Sequence, residues 1–342
     1  MNSAERVISA LRLEQPDRVP IVESVIDQTV RCSLFPGSPD MATFSEVIGL
    51  DAIGTGLLFK RRDEGPHSYV DEWGVFYRKS AEALSHPVEG PVKSMDDLKV
   101  YTPPDPEAPW RLGDLPEVVE CYSGKRAIVL HHRAAFMWSA YLTGLDHLLL
   151  CFADDPEFAH ALLDVVLEVN IAMIRRAIRA GADVVTLGDD YCHNFGPMMS
   201  PAHFKEFILP RLQRAIDAIH EEGALCIKHS DGNLWSILDM IVDAGPDAIN
   251  PLEPVAGMNI GEVKAAYGDR VCLMGNIDCG ELLSHGTVTE VEEAVRECIT
   301  AAAPGGGFIL SSSNSIHSSV DPDNYLAMVQ AGKKYGAYPL NF

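Results

Sequence analysis

The sequence predicts a single α/β domain spanning residues 1–342, a (β/α)8 barrel with an inserted β-hairpin and a Pro-rich loop after the second strand. Three observations carry this. Short β-rich runs alternate with amphipathic helical stretches, the helices end repeatedly at glycine, and the candidate strands number eight. Eight such units suit a closed barrel better than an open doubly wound sheet, and no GxGxxG or GxxxxGK[ST] follows any strand.

The strands are expected near 19–23, 51–57, 127–131, 184–188, 224–228, 247–251, 271–275 and 307–311. After the second, residues 60–123 break the rhythm. The alternating run from Tyr69 to Tyr77 reads as a hairpin, and the Pro-rich stretch from Thr102 to Trp110 as a surface loop. Helical periodicity is clearest over 156–180, where Phe158, Leu162, Leu163, Val166, Val169, Ile174 and Ile178 recur at three- and four-residue steps before Gly181. Further helices are expected over 201–222, capped by Ser200 with Pro201 first, and over 233–244, 260–267 and 288–302. Gly305, Gly306 and Gly307 precede the eighth strand, so they form a helix-to-strand turn at the bottom of the barrel rather than a phosphate cradle.

Composition narrows the partners. The 342 residues carry 27 Lys+Arg against 49 Asp+Glu, and the net charge of −22 repels a phosphate backbone and anionic lipid alike. Neither nucleic acid nor a membrane surface is expected. The eight cysteines are scattered without a CxxC pair, as reduced thiols would be, which points to a cytoplasmic protein. The N-terminal stretch lacks an apolar targeting core, and no apolar run approaches the roughly 18 residues of a membrane span.

In a barrel of this kind chemistry collects where the strands end. Those positions are strongly polar here: Glu23 and Asp27, His131, His132 and Arg133, Asp189, Asp190 and His193, His229, Ser230 and Asp231, Glu253, Asn276, Asp278 and Cys279, and Ser311 to Asn314 with His317. Carboxylates and imidazoles converging on one mouth bind a divalent metal or perform acid/base work. In Lys228-His-Ser-Asp-Gly232, His229 and Asp231 are two apart on an extended segment and share a face. They ligate one metal together, or Asp231 orients the imidazole; the bland alternative is a helix-capping Asp beside a packed His. Lys228 lies on the opposite face.

Several motifs resemble the uroporphyrinogen decarboxylase superfamily. They are Glu14-Gln-Pro-Asp-Arg-Val-Pro20, His229-Ser-Asp-Gly232, Gly275-Asn-Ile-Asp278 with Leu282-Leu283, Gly306-Gly-Phe-Ile-Leu-Ser-Ser-Ser-Asn314, and Asp321-Pro-Asp-Asn324. The resemblance implies the barrel fold and either haem-pathway decarboxylation or cobamide-dependent methyl transfer. The decarboxylase pattern has an arginine-rich N-terminal segment and an aspartate in a Phe-Ser-Asp-Ile-Leu-like strand, where this chain has Ile53-Gly-Thr-Gly-Leu-Leu58. The thiol-methylating branch has His-x-Cys and a distant Cys as zinc ligands; here Asp231 and Asn314 stand at the thiolate positions. The closer likeness is to corrinoid-dependent O-demethylases, which pass a methyl group from a methoxylated, here aromatic, substrate to a corrinoid protein.

The resemblance therefore implies a corrinoid on a partner protein, a small methoxylated substrate, zinc as the candidate metal, and room for a homodimer. The residues assigned to the chemistry are His229, Asp231, Asp190 and Glu253, with His229, Asp231 and Glu253 as metal ligands and Cys279 as a further one. Asn276, Asn314, His132, Tyr191 and His317 are assigned to the substrate, and Phe136, Trp138 and Tyr191 to an apolar lining. The alternatives are a decarboxylase-like lyase, a methylcobamide:thiol methyltransferase, and a tetrapyrrole or corrinoid-protein binder without turnover.

Overall fold

The computed structural model describes residues 1–37, 40–79 and 85–340. Seven parallel strands form one curled sheet in sequential order: β1 (Ala52–Gly56), β2 (Ala127–His132), β3 (Val184–Gly188), β4 (Leu225–His229), β5 (Ala248–Asn250), β6 (Cys272–Ile277) and β7 (Phe308–Ser312). Segment 20–22 closes the barrel between β7 and β1. Leu310 N donates to Pro20 O at 2.9 Å, Val22 N to Leu310 O at 3.0 Å, and Asp51 N to Ile21 O at 2.8 Å. Pro20 has no N–H to give to a ladder, so the expected first strand shrinks to this short parallel pairing at Ile21.

Alternation along the strands divides the core in two. Ala52, Val129, Val184, Ile227, Met274 and Ile309 pack on one another inside the barrel. Their neighbours Ile53, Ile128, Leu130, Val185, Ile249 and Leu310 pack outward against the helices. The helix Pro156–Arg179 opens on Asp155, whose Oδ1 accepts from Phe158 N at 3.2 Å. Ser200 caps the next one as expected, its Oγ accepting from His203 N at 3.1 Å. That helix widens over Phe204–Ile208 before continuing as Leu209–Glu221, because Pro210 lacks the N–H that would complete the regular ladder. The stretch expected to be helical over 233–244 is helical only over Leu238–Asp243. Asn233 Nδ2 instead ties its loop to Ala256 O at 2.9 Å.

The insertion extends the expected hairpin to an antiparallel meander of four strands, Arg61–Asp63, Ser68–Asp71, Phe76–Arg78 and His86–Glu89. The central pair is the hairpin read from the sequence, with Tyr69 opposite Tyr77 and their rings stacked at 4.9 Å. The outer pair is exposed at every position and so carries no apolar alternation to read. Leu115–Tyr122 already packs against β1 and β2 as a barrel helix.

At the bottom of the barrel the Glu14 to Pro20 motif is structural. Arg6 donates to Asp17 Oδ1 and to Asp51 Oδ1, both at 2.7 Å, and Arg18 donates to both Asp51 oxygens at 2.9 Å. Gly306 in the turn before β7 has φ +86°, and a Cβ there would lie 2.7 Å from Glu14 O. The glycine run is therefore a close approach of backbone to this motif. Among the described residues no single helix is long and apolar enough to cross a membrane.

Candidate active site and metal centre

His229 is the last residue of β4 and points into the mouth with the inward Ile227. Its Nδ1 lies 2.6 Å from Asn250 Oδ1, and Asn250 Nδ2 donates to Met274 O at 3.2 Å. Met274 O can only accept, which orients the amide and obliges His229 Nδ1 to carry the hydrogen. Nε2 is thereby the free ring atom. It faces Asp231 Oδ1 at 3.3 Å and Asp190 Oδ1 at 3.7 Å.

The nitrogen and the two carboxylate oxygens lie within 4.8 Å of one another. Asp231 Oδ1 is buried against His229 Nε2 with no other donor among the described residues, while Oδ2 accepts from Asn314 Nδ2 at 2.9 Å. Asp190 Oδ1 accepts from Asp231 N at 3.1 Å. Glu253, on the loop after β5, accepts from Gly232 N at 2.7 Å and from Asn314 Nδ2 at 3.3 Å. Gly232 has φ +84°, and a Cβ there would meet His193 O at 2.7 Å, so the loops after β3 and β4 meet closely only because this residue has no side chain.

Charges and burial set the protonation of these groups. Burial raises the Asp190 carboxyl against the pull of His229, and burial with the Asp231 charge raises Glu253. Burial also works on Asp231 and His229, but their mutual attraction outweighs it, holding Asp231 below and His229 above the ordinary range.

His229, Asp231, Asp190, Glu253 and Asn314 thus come together, and the other assignments change. The metal-competent group contains Asp190 in place of Glu253, which is occupied by Gly232 and Asn314. Cys279 is outside it: burial pushes its thiol up to about 11, and its Sγ lies 3.6 Å from Ser313 Oγ. Asn276 Nδ2 donates to Leu252 O at 2.9 Å, fastening the loop after β5 instead of facing the mouth. Alternation turns His132 outward, where it meets Asn170 Oδ1 at 3.1 Å and burial lowers its pKa to about 3; His131 takes the inward position. Tyr191 is buried between Phe136 and Phe204 beneath the helices. His317 Nδ1 accepts from Ser319 N at 3.3 Å within its own turn.

The neighbours of the cluster are structural. Asp189 is fully buried and accepts from the amides of Ala134, Ala135, Phe136 and Met137 at 2.9–3.2 Å, capping the helix Phe136–Thr143. Lys228 Nζ donates to the carbonyls of Leu187, Asp189 and His229, which uses all three of its N–H bonds. Asn250 is the functional position that sequence reading missed. It ends β5 two residues after the inward Ala248, and strand parity would have found it once the register was known.

Comparison with known proteins agrees with this architecture. The uroporphyrinogen decarboxylase (URO-D) family matches over residues 82–335. A uroporphyrinogen decarboxylase of Thioalkalivibrio sulfidiphilus is 30% identical over 188 residues, 54% of this chain and 50% of that protein. One of Aeromonas salmonicida is 24% identical over 307 residues, 84% of this chain and 76% of that protein. A methyltransferase from Methanosarcina mazei has the same fold, with a TM-score of 0.79 at 20% identity over 98% of this chain and 99% of that one. By the extent of the family match and the barrel it folds into, this chain belongs to the uroporphyrinogen decarboxylase family.

Proposed function

We propose that the protein cleaves a methyl ether, passing the methyl group of a small methoxylated aromatic substrate to the cobalt of a corrinoid carried by a partner protein. The observation that carries this reading is the Asp190, His229 and Asp231 cluster, whose ring nitrogen and two carboxylate oxygens lie within 4.8 Å of one another. An ether is cleaved when its oxygen becomes a better leaving group, through a proton or a Lewis acid. The methyl carbon–oxygen bond breaks, the methyl goes to the cobalt nucleophile, and the electron pair stays on the oxygen.

The cluster fits a divalent ion. Its 3.3 and 3.7 Å separations compare with the ~3.3 Å edge of a tetrahedron with bonds of ~2.0–2.1 Å, and a nitrogen–oxygen donor set suits zinc with lower affinity than a thiolate-rich site. Held by Asp190, His229 and Asp231, such an ion would supply Lewis-acid polarisation of the ether oxygen. The chain's own groups do the rest. Asn250 keeps His229 Nε2 directed at the mouth, and Asn314 holds Asp231 and Glu253 in register. The Glu253 carboxyl, raised by burial and the Asp231 charge, would hold the proton that the departing oxygen takes up.

The names of the curated relatives favour a second reading, loss of carbon dioxide from an acidic small molecule. Against it, β1 and the residues after it, Ile53 to Leu58, lack the aspartate that the decarboxylase pattern has in this strand, and Asp190 and Asp231 at the mouth repel a molecule with several carboxylates. Anaerobic incubation with reduced cobalamin and methoxylated benzoates or phenols separates the readings. We expect methylated cobalamin and the demethylated product. Carbon dioxide release without methyl transfer would replace the proposal with a lyase, and binding with neither product would leave a binder.

A further inference from the structure

The two sides of the mouth differ in sign. On the β4 and β5 side stand Asp190, Asp231 and Glu253. On the β2 side three buried nitrogen atoms have no hydrogen-bond partner: His131 Nε2, Arg133 Nε and Trp138 Nε1. Buried polar atoms are nearly always satisfied in a native protein, so Arg133 Nε and Trp138 Nε1, on side chains 5.7 Å apart, mark a place for a partner the chain itself does not supply.

Arg133 is the informative member. It directly follows β2 and continues the inward parity of His131. Its contacts are the rings of Trp138 and Tyr141, at 5.7 and 5.5 Å from the guanidinium carbon. Arg133 is half-buried, and the buried arginines among the described residues are each paired with a carboxylate: Arg6 with Asp51, Arg111 with Glu72, Arg211 with Asp164. Arg133 has no such partner among the described residues, in a chain with 49 acids to 27 bases. Burial raises the Tyr141 hydroxyl pKa while Arg133 lowers it and Asp190 adds to it, so this ring stands between the basic and acidic sides.

We propose that Arg133 binds a carboxylate of the substrate, with Trp138 and Tyr141 as the walls of the subsite. The planar guanidinium fork matches a carboxylate in a bidentate pair, and aromatic faces hold the cation in place without neutralising it. The arrangement also orients the molecule. The Asp190 and Asp231 side of the mouth disfavours the carboxylate, so it lodges at Arg133 and the opposite end of the ring is delivered to His229. This rests on the mouth being the reaction site, and it narrows the substrate to an aromatic carboxylate bearing the methyl ether away from the acid group.

The test is calorimetric binding of benzoate, benzamide and phenyl phosphate to the wild-type protein, Arg133→Ala and Arg133→Lys. Wild type is expected to bind benzoate at least about 10-fold more tightly than benzamide, the scale of a charge-assisted hydrogen bond. Arg133→Ala loses that preference while keeping its benzamide affinity, which reports that it is folded; Arg133→Lys keeps part of it and serves if the alanine variant does not fold. Equal binding of the two by wild type, no benzoate binding, or an undiminished preference in Arg133→Ala overturns the inference. Tighter binding of phenyl phosphate than benzoate overturns the carboxylate assignment. Benzoate carries no methyl group, so the outcomes separate. An Arg133-dependent preference without methyl transfer from 4-methoxybenzoate sinks the methyltransferase reading alone, and methyl transfer without the preference sinks this one alone.

Discussion

The two poles of the barrel bury carboxylates in opposite ways. At the bottom, Asp51 is fully buried and accepts from Arg6, from Arg18 on both oxygens, and from Ile21 N at 2.9 Å, so every lone pair facing the protein is used. At the mouth, Asp190, Asp231 and Glu253 gather around one imidazole, and Asp231 Oδ1 has no donor beyond that ring among the described residues. A saturated network of this kind locks the chain termini of the strands together. An undersaturated one keeps free energy in reserve for a cation, a proton or a substrate.

The contrast is broken most severely at His229. His229→Ala is expected to lower methyl transfer by about 10²–10⁴-fold, the usual worth of a positioned acid, base or polarising group, with an unchanged unfolding transition. Normal transfer at normal folded yield would make His229 a spectator, and loss of the fold would make it a core residue.

Stability should respond in the reverse sense. Asp51→Ala removes the buried carboxylate that pairs with buried Arg6 and half-buried Arg18 and is expected to cost about 3–5 kcal/mol in denaturant unfolding. Asp231→Ala removes a carboxylate whose attraction to His229 is offset by burial and by the nearby Asp190 and Glu253, and is expected to stay within about 1 kcal/mol of wild type while abolishing zinc retention. Equal losses in the two variants would erase the distinction between the poles.

Asn250 sharpens the picture of the mouth. Asn250→Ala frees the His229 tautomer and is expected to weaken zinc binding by about 10–100-fold in chelator competition, the range for a residue that orients a metal ligand. Asn250→Asp, which still accepts from Nδ1, should hold zinc as well as wild type. Loss of affinity in both variants would mean that the amide acts through packing alone.

The last effect concerns a third kind of buried carboxylate. Glu23 accepts from Ser312 N and Oγ at 2.8 and 2.7 Å but faces no cation among the described residues, and burial pushes its pKa up to about 8 from 4.5. The folded chain therefore binds more protons than the unfolded one across that interval, and stability falls as pH rises through it. Glu23→Gln is expected to flatten the decline measured between about pH 5 and pH 8. An identical slope in the variant would assign the pH dependence to other groups.

Much of this was legible in the chain. Periodicity and glycine stops locate the helices 260–267 and 288–302 and the strand Val184–Gly188, because those segments obey one rule without interference from neighbours. The position of a residue just after a strand was enough to pick out His229, Asp231, Asp190, Glu253 and Asn314, since the barrel brings all strand ends to one mouth. Which member of an adjacent pair faces that mouth was not legible. His131 and His132, or Asp189 and Asp190, differ by one position, and one position in a strand reverses the side chain. Asn276 and Asn250 look alike in sequence, yet one fastens a loop and the other holds the imidazole. The sequence by itself determined the alternating elements and the polar character of the strand ends, because both follow from local spacing. Only the tertiary structure decided which groups share an ion, which cap a helix and which cation stays unpaired, because hydrogen-bond partners such as Asn250 for His229, 21 residues apart, are set by strand register across the barrel wall.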